Sequence, residues 1–164
     1  MNQPGPPAEC LNVGIGLWKV ARNPVGLRAI LGSCLGVVIY DPANRIGGMG
    51  HILLPNSRGS KEHPGRYADT ALPALIDELN RTRGMTQRNG LVAKLAGGAK
   101  MFETQGMMAI GEANHQAVRK QLEAMRIPVI GEDIGGETGR NVTFDTATGR
   151  FFARRPGGQI YEIL

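Results

Sequence analysis

Cysteine is scarce in this sequence, and its scarcity limits the chemistry open to the chain. Only Cys10 and Cys34 occur among 164 residues, so a disulfide framework is not expected and at least one thiol should be free. The three histidines, His51, His63 and His115, have none of the CxxC, HxH or HExxH spacings that are typical of zinc sites. We therefore expect neither a metal site nor a cofactor.

Long apolar runs and targeting signals are also missing. The uncharged apolar stretches, such as 30–40, are much shorter than the roughly 20 residues needed to cross a bilayer. Residues 1–9 are rich in proline and glycine, and they lack the basic start and apolar segment of a secretory signal. These absences predict a cytoplasmic protein without membrane insertion.

Aromatic residues make up only 5% of the chain, which leaves no platform on which nucleic-acid bases would stack. The net charge of +5 would suit an acidic partner. The basic residues are nevertheless spread along the chain rather than clustered, so we do not expect nucleic-acid binding.

What the sequence does contain is the apolar content of one small globular domain. It is 41% hydrophobic and 20% charged, and no shift in composition divides it. We expect a flexible N-terminal segment over 1–10, a single domain over 11–164, and a monomer.

Short β-branched or alternating runs that are separated by turn residues are typical of strands. Nine such runs occur, at 11–20, 26–31, 35–40, 46–54, 91–96, 129–131, 142–145, 151–154 and 160–163. The segment 145–149 between two of these runs is predicted to be a hairpin turn in which Gly149 supplies a positive φ.

Two other segments, 70–83 and 111–125, have apolar residues at helical spacing. Thr70 is the predicted N-cap of the first, which would place Pro73 at the third helical position, where a missing N–H costs no hydrogen bond. Two helices cannot cover both faces of so much sheet. The predicted fold class is therefore α/β of the α+β type, a strand-rich layered sandwich of sheets flanked by two main helices, rather than a doubly wound Rossmann fold.

Cys34 lies at a glycine-flanked turn that leads into an apolar strand. Backbone N–H groups of Gly32, Ser33 and Cys34 could converge beside the sulfur there, and such dipoles, together with a nearby imidazole, activate cysteine as a nucleophile. A lone cysteine in an apolar run is also compatible with a small buried hydrophobic residue.

His51 belongs to the next predicted strand. If this strand pairs antiparallel with that of Cys34, Ala43 is near the middle of the turn, nine positions after Cys34 and eight before His51. The two side chains would then lie nearly opposite each other. Taken alone, His51 could also be a hydrogen-bonded core histidine.

Eight short motifs follow one another along most of the chain: LGSC at 31–34, YDP at 40–42, GGMGHILLP at 47–55, GRYADTA at 65–71, KLAGGAKMF at 94–102, IGEAN at 110–114, EDIGG at 132–136 and GR at 149–150. In this order they resemble the signature of the CheD family of chemoreceptor glutamine deamidases. The resemblance implies a layered α/β fold related to the catalytic domain of cytotoxic necrotizing factor toxins.

The resemblance also implies an amidohydrolase that converts receptor glutamines to glutamate without a cofactor. Cys34 and His51 match the positions of the family's catalytic pair. The implied partners are the cytoplasmic helices of methyl-accepting chemotaxis receptors and, in many bacteria, the phosphatase CheC.

One position departs from the family pattern. Many members have a threonine six residues before the cysteine, which orients the histidine, whereas this chain has Arg28 there. An arginine side chain has no hydrogen-bond acceptor. Ser33, Thr70 or a backbone carbonyl are the candidates to replace the threonine.

Two interpretations besides the deamidase remain open at this level. One is a weakly active or non-enzymatic adaptor of the same fold that binds receptors or CheC, and the other is a thiol hydrolase of different specificity. Met101, Phe102, Met107 and Met108 could form an adaptable contact surface for such partners or could fill gaps in the core. Gly97 and Gly98 are equally compatible with a substrate-facing loop and with the end of a core strand.

Overall fold

The computed structural model describes residues 5–101 and 109–164, which form ten strands and two α-helices. The strands are β1 (Cys10–Asn12), β2 (Trp18–Arg22), β3 (Gly26–Leu31), β4 (Leu35–Asp41), β5 (Ile46–Ile52), β6 (Val92–Gly97), β7 (Val129–Ile134), β8 (Arg140–Phe144), β9 (Phe151–Arg154) and β10 (Tyr161–Ile163). The helices are α1 (Ala68–Arg83) and α2 (Ile110–Ala124), and a short 3-10 turn at Pro64–Arg66 precedes α1.

The strands form two five-stranded sheets. Sheet A has the order β1-β3-β8-β9-β10, and sheet B has the order β2-β5-β4-β6-β7. Successive side chains of β4 and β5 point to opposite faces of sheet B. One face packs against α1 and α2 through residues such as Leu35, Val37 and Ile52, while the other packs against sheet A through residues such as Val38 and Met49. The predicted layered α+β sandwich with two flanking helices is confirmed.

The predicted strand at 11–20 is wrong as a single element, because the chain crosses between the sheets there. β1 belongs to sheet A and β2 to sheet B. Between them the N–H of Leu17 donates to the carbonyl of Gly14, and Gly16 has a φ of 75°. A continuous strand cannot accommodate that turn, and only glycine adopts such a φ without strain. The other eight predicted strands are present, with ends shifted by up to three residues.

The predicted start of α1 is also wrong. The helix begins after Tyr67, whose backbone is still extended and bridges to Leu54, and the first helical bond runs from the N–H of Ala71 to the carbonyl of Tyr67. Pro73 is therefore the sixth helical residue, where its missing N–H does remove a backbone hydrogen bond. α2 and the hairpin turn between β8 and β9 agree with the predictions, and Gly149 has the predicted positive φ, 76°.

Within residues 5–101 and 109–164, neither helix combines the length and the apolar composition required to span a membrane.

Candidate active site

Cys34 lies in a bend, residues 32–34, where the chain passes from β3 in sheet A to β4 in sheet B. Its exposed fraction is 6%, and it packs in the core between the two sheets. The thiol is therefore part of the sandwich interior at one end of the hairpin formed by β4 and β5, rather than a surface group.

The carbonyl groups of this bend are all held by neighbouring segments. The carbonyl of Gly32 accepts from the N–H of Ala99 at 3.0 Å, and that of Cys34 accepts from the N–H of Gly98 at 2.9 Å. The carbonyl of Ser33 accepts from the side-chain amide of Asn114 at 3.4 Å. Because C=O and N–H point in opposite directions across a planar peptide group, these bonds also fix the N–H groups of Ser33 and Cys34.

The glycine pair at the end of β6 is the part of the molecule that allows this close approach. Gly97 has a φ of 104°, and a Cβ added there would lie 2.3 Å from the carbonyl oxygen of Cys34. A side chain would collide with the backbone of the bend. Gly97 ends a core strand, which is one of the two roles left open by the sequence, and Gly98 holds the Cys34 bend through its N–H. The substrate-facing role stays a prediction.

His51 is on β5 and pairs with Gly36 of β4. His51 was expected nearly opposite Cys34, but it lies opposite the residue two positions further along, because the turn is centred between Ala43 and Asn44. A shift of two residues keeps a side chain on the same face of a strand. Cys34 and His51 accordingly lie on the same face of sheet B, as diagonal neighbours at one end of the hairpin.

One nitrogen of the His51 ring is held by the backbone. Nδ1 lies 2.9 Å from the carbonyl oxygen of Val13, and a carbonyl can only accept, so Nδ1 carries the hydrogen. The neutral ring then has its lone pair on Nε2. This atom is buried and has no hydrogen-bond partner among the residues that the structure describes.

Both backbone groups of His51 are hydrogen-bonded to the crossing between β1 and β2. The N–H of His51 donates to the carbonyl of Leu17 at 3.0 Å, and its carbonyl accepts from the N–H of Gly16 at 2.9 Å. Val13 is itself anchored, because its N–H donates to the carbonyl of Arg28 at 2.7 Å. The turn that splits the predicted strand therefore positions the histidine ring.

The side chains of Thr70 and of Arg28, which replaces the usual threonine, are both engaged elsewhere. The hydroxyl of Thr70 donates to the carbonyls of Pro64 and Tyr67 at the start of α1. The Nε of Arg28 donates to Oδ1 of Asn12 at 2.9 Å on the exposed side of β3. Ser33 lies beside Cys34 in the bend, and the hydrogen bond described for it is made by its backbone carbonyl, which accepts from Asn114. Of the candidates, the backbone carbonyl is the one that contacts His51.

Burial favours the neutral form of both groups. It raises the pKa of the Cys34 thiol, although the residue's own backbone N–H opposes this by stabilising the thiolate. It lowers the pKa of His51, which the hydrogen bond to Val13 partly offsets. Both groups are therefore neutral, and among the described residues no hydrogen bond joins the Cys34 thiol to Nε2 of His51.

Asn114 of α2 is a site residue that the sequence analysis did not identify. It is fully buried, and its Nδ2 donates to the carbonyls of Ser33 and Leu53, the latter at 3.1 Å. It thus joins the residue before Cys34 to the residue two positions after His51. Its Oδ1 has no partner in the described part of the chain. The available signal was a polar residue on the buried stripe of the helix, between Gly111 and Val118.

Arg140 supports the same region from sheet A. Its side chain is fully buried, and Nη1 lies 2.8 Å from the carbonyl of Asp133 and 3.2 Å from Oδ2 of that residue. Nη2 donates to the carbonyl of Gly135, whose N–H in turn donates to the carbonyl of Gly97 at 2.9 Å. The buried Arg140 therefore fixes Gly135, which in turn binds the glycine pair that contacts the Cys34 bend.

The expected methionine-rich contact surface is described only at Met101, which is 45% exposed. Its side chain lies next to Gly32, about 3.9 Å from where a Cβ on that glycine would be. Phe102, Met107 and Met108 lie outside the described residues, so the surface stays a prediction.

Comparisons with known proteins agree with the motifs. Residues 53–155 match the family model described as CheD chemotactic sensory transduction, a range that begins two residues after His51. The chain is 42% identical over 147 residues to the chemoreceptor glutamine deamidase CheD of Thermotoga maritima, covering 89% of this chain and 92% of that protein. It is 41% identical to a probable chemoreceptor glutamine deamidase CheD of Desulforamulus reducens, over 93% of this chain and 95% of that protein. The corresponding protein of Geobacillus kaustophilus is 43% identical, over 95% and 98%.

Proposed function

The chain belongs to the CheD family, and we propose on that basis that it is a chemoreceptor glutamine deamidase with Cys34 as nucleophile and His51 as general base. The observation that supports this most is the state of the His51 ring. The carbonyl of Val13 holds Nδ1, and the lone pair of Nε2 stays unsatisfied on the face of sheet B where Cys34 lies. A buried acceptor without a partner costs free energy, so such a group suggests a role in the reaction.

In the first step, Sγ of Cys34 forms a bond to the side-chain carbonyl carbon of the receptor glutamine. The thiol proton moves to Nε2 of His51 as the sulfur attacks. Negative charge then develops on the amide oxygen. The N–H groups of Ser33 and Cys34, whose peptide planes are fixed by the bonds to the carbonyls of Gly32 and Ser33, are the donors proposed for this oxyanion.

In the second step, the carbon–nitrogen bond breaks and His51 gives its proton to the departing ammonia, which leaves a thioester on Cys34. Water then attacks the thioester while Nε2 of His51 takes one of its protons. The thiolate leaves and recovers the proton. The net reaction converts one glutamine and one water to one glutamate and one ammonia.

The partners follow from the same proposal. The substrate is the cytoplasmic helical region of methyl-accepting chemotaxis receptors, so the enzyme acts in the cytoplasm. The proposal also keeps the expected monomer. The phosphatase CheC is the second partner proposed, because the family resemblance implies it.

Mass spectrometry of a receptor cytoplasmic fragment, incubated with the protein, tests the activity. We expect specific glutamines to become glutamate with release of ammonia, and Cys34→Ala to abolish this. Cys10→Ala is the matched control, because Cys10 is a half-buried free thiol on β1, outside the bend, and this variant should keep full activity.

The two remaining interpretations give different results in the same experiment. A non-enzymatic adaptor would bind the fragment and leave every glutamine unchanged. A thiol hydrolase of other specificity would also leave the fragment unchanged, but it would cleave other acyl substrates in a reaction that Cys34→Ala abolishes.

A further inference from the structure

A groove with a volume of about 710 Å³ opens directly beside His51. One wall is the crossing between β1 and β2, at residues 12–15, and the other wall is β3 at residues 28–30, with Asn141 of β8 at its edge. His51 lies at the groove although its exposed fraction is only 2%. A substrate bound in this groove would therefore contact His51, the member of the proposed catalytic pair that lines the groove, whereas Cys34 is not among the described residues that line it.

The rim of the groove is apolar and exposed. Ile15 is 61% exposed and Ile30 is 74% exposed, and both line the groove from opposite walls. Ile30 points away from the sandwich core, because β3 alternates between buried and exposed positions. Large exposed apolar side chains that border a cleft are typical of a surface that another protein covers.

Arg28 provides the charge in the groove. It is the single lysine, arginine, aspartate or glutamate among the described residues that line it. Its Nε is held by Oδ1 of Asn12, and the side chain makes no ion pair within the described part of the chain. The two terminal nitrogens of a guanidinium fixed at Nε form a fork that matches a carboxylate.

We propose that this groove binds the receptor helix that carries the target glutamine, and that Arg28 pairs with a glutamate or aspartate of that helix. The inference rests on the proposed function and adds how the substrate is selected. Residues three or four positions apart share one face of a helix, so the carboxylate lies three or four positions from the glutamine. Apolar residues of the same face cover Ile15 and Ile30.

The proposal gives Arg28 a function at the position where many CheD sequences carry threonine. Val13 holds the histidine ring through its backbone, so the side chain at position 28 is not needed for that purpose. It is a specificity-determining residue, and it selects receptor sites by the charge next to the glutamine.

Charge reversal tests this with the full chain and a receptor cytoplasmic fragment as substrate. Arg28→Glu should raise KM about tenfold with little change in kcat, because it replaces an attraction by a repulsion of similar size. Arg81→Glu is the matched control. Arg81 is an exposed residue near the end of α1, where the neighbouring Arg83 pairs with Asp41 at the opposite end of the hairpin from His51, and its reversal should leave KM unchanged.

A second arm changes the substrate. In the altered fragments, the carboxylate three or four positions from the modified glutamine is replaced by lysine. The KM of the wild-type enzyme should rise with this change, and the KM of Arg28→Glu should fall. Ile30→Asn should raise KM for all fragments alike. Equal KM values for Arg28→Glu and Arg81→Glu, with no recovery by the charge-swapped fragments, would overturn the proposal.

Binding to the Cys34→Ala variant separates this proposal from the proposed function. If wild type leaves every receptor glutamine unchanged, the deamidase assignment fails, whatever Arg28 does. If Cys34→Ala binds the fragment and the further Arg28→Glu change weakens binding about tenfold, the docking surface holds independently of turnover. If that change leaves binding as it was while wild type is active, only the docking proposal fails.

Discussion

The two ends of the hairpin formed by β4 and β5 bury polar groups in opposite ways. At the turn end, Asp41 is 2% exposed, and its carboxylate accepts from the backbone and side chain of Asn44 and from Arg83, at 2.7–3.1 Å. At the other end, His51 is equally buried, yet Nε2 has no partner among the described residues. The strands, the sheet and the depth of burial are the same.

Under the proposed function, this difference separates a stabilising site from the reactive one. Burial alone would raise the pKa of Asp41, but the hydrogen bonds from Asn44 and Arg83 outweigh it and lower that pKa. At the His51 end, burial dominates for both groups and keeps them neutral. A fully satisfied buried polar group stabilises one structure. A buried base with a free lone pair is instead available to take a proton.

Removing the base should have the largest effect. His51→Gln keeps a side chain of similar size without a titratable nitrogen, and we expect kcat to fall about 10²–10⁴-fold, the usual contribution of a general base. Circular dichroism checks that the variant folds. Asp41→Asn is the matched change at the turn end, and steady-state kinetics should show its kcat close to that of wild type. Similar losses in both variants would contradict the division between the two ends.

Breaking the ion pair at the turn end should affect stability instead of catalysis. Arg83→Ala leaves the Asp41 carboxylate, 3% exposed, without its cation, and unpaired buried charges typically cost about 3–5 kcal/mol. Urea unfolding should show this loss, whereas kcat measured well below the unfolding transition should stay unchanged. A variant as stable as wild type would show that the pair is not important for the fold.

Asn114 joins the two strands at the catalytic end, so changing it should lower both stability and rate by moderate amounts. Asn114→Ala leaves the carbonyls of Ser33 and Leu53 without their donor, at a cost of about 1–3 kcal/mol. We also expect kcat to fall about tenfold with KM unchanged, because the N–H of Cys34 is no longer fixed for the oxyanion. Loss of stability with full kcat in the remaining folded protein would restrict Asn114 to a structural role.

The smallest expected effect is a difference in pH dependence between the two ends. The unfolded chain binds a proton at His51 below about pH 6.5, whereas the folded protein resists it because burial lowers that pKa. The stability associated with His51 is therefore present above about pH 6.5 and is lost as pH falls through the folded-state pKa. The stability associated with Asp41 is lost only below about pH 4, because its pKa is lowered in the folded protein.

Unfolding free energies measured from pH 7 to pH 4 test this dependence. Wild type should lose more stability over that range than His51→Gln, because the variant has no proton to take up at this position. Parallel curves for the two proteins would contradict a lowered pKa for His51.

Most of the fold could be predicted from the sequence, because alternation and helical spacing are local signals. β3 and β9 have the predicted bounds, and α2 is shifted by one residue. The Cys34 and His51 side chains were expected to meet, and the register places them on one face with a two-residue offset. Turn length decides such an offset, and composition does not specify it.

The parts that could not be predicted depend on backbone groups and on distant contacts. The partner of His51 is the backbone carbonyl of Val13, and a backbone group cannot be identified from residue types. The carbonyl lies there because the chain crosses between the sheets at Gly16. Asn114 contacts residues 81 and 61 positions away. Thr70 was a candidate to orient His51 because of its hydroxyl. However, α1 starts two residues before Thr70, and the hydroxyl donates to the carbonyl of Pro64 there.

The covalent intermediate on Cys34 is the most direct test of the account. Acid quenching during turnover with a receptor fragment, followed by mass spectrometry, should reveal enzyme joined to the fragment with loss of ammonia. The bond should map to Cys34, be cleaved by hydroxylamine as a thioester, and be absent in Cys34→Ala. Conversion of glutamine to glutamate by Cys34→Ala at the wild-type rate, or an adduct on another residue, would contradict the assignment of Cys34 and His51 as the catalytic pair.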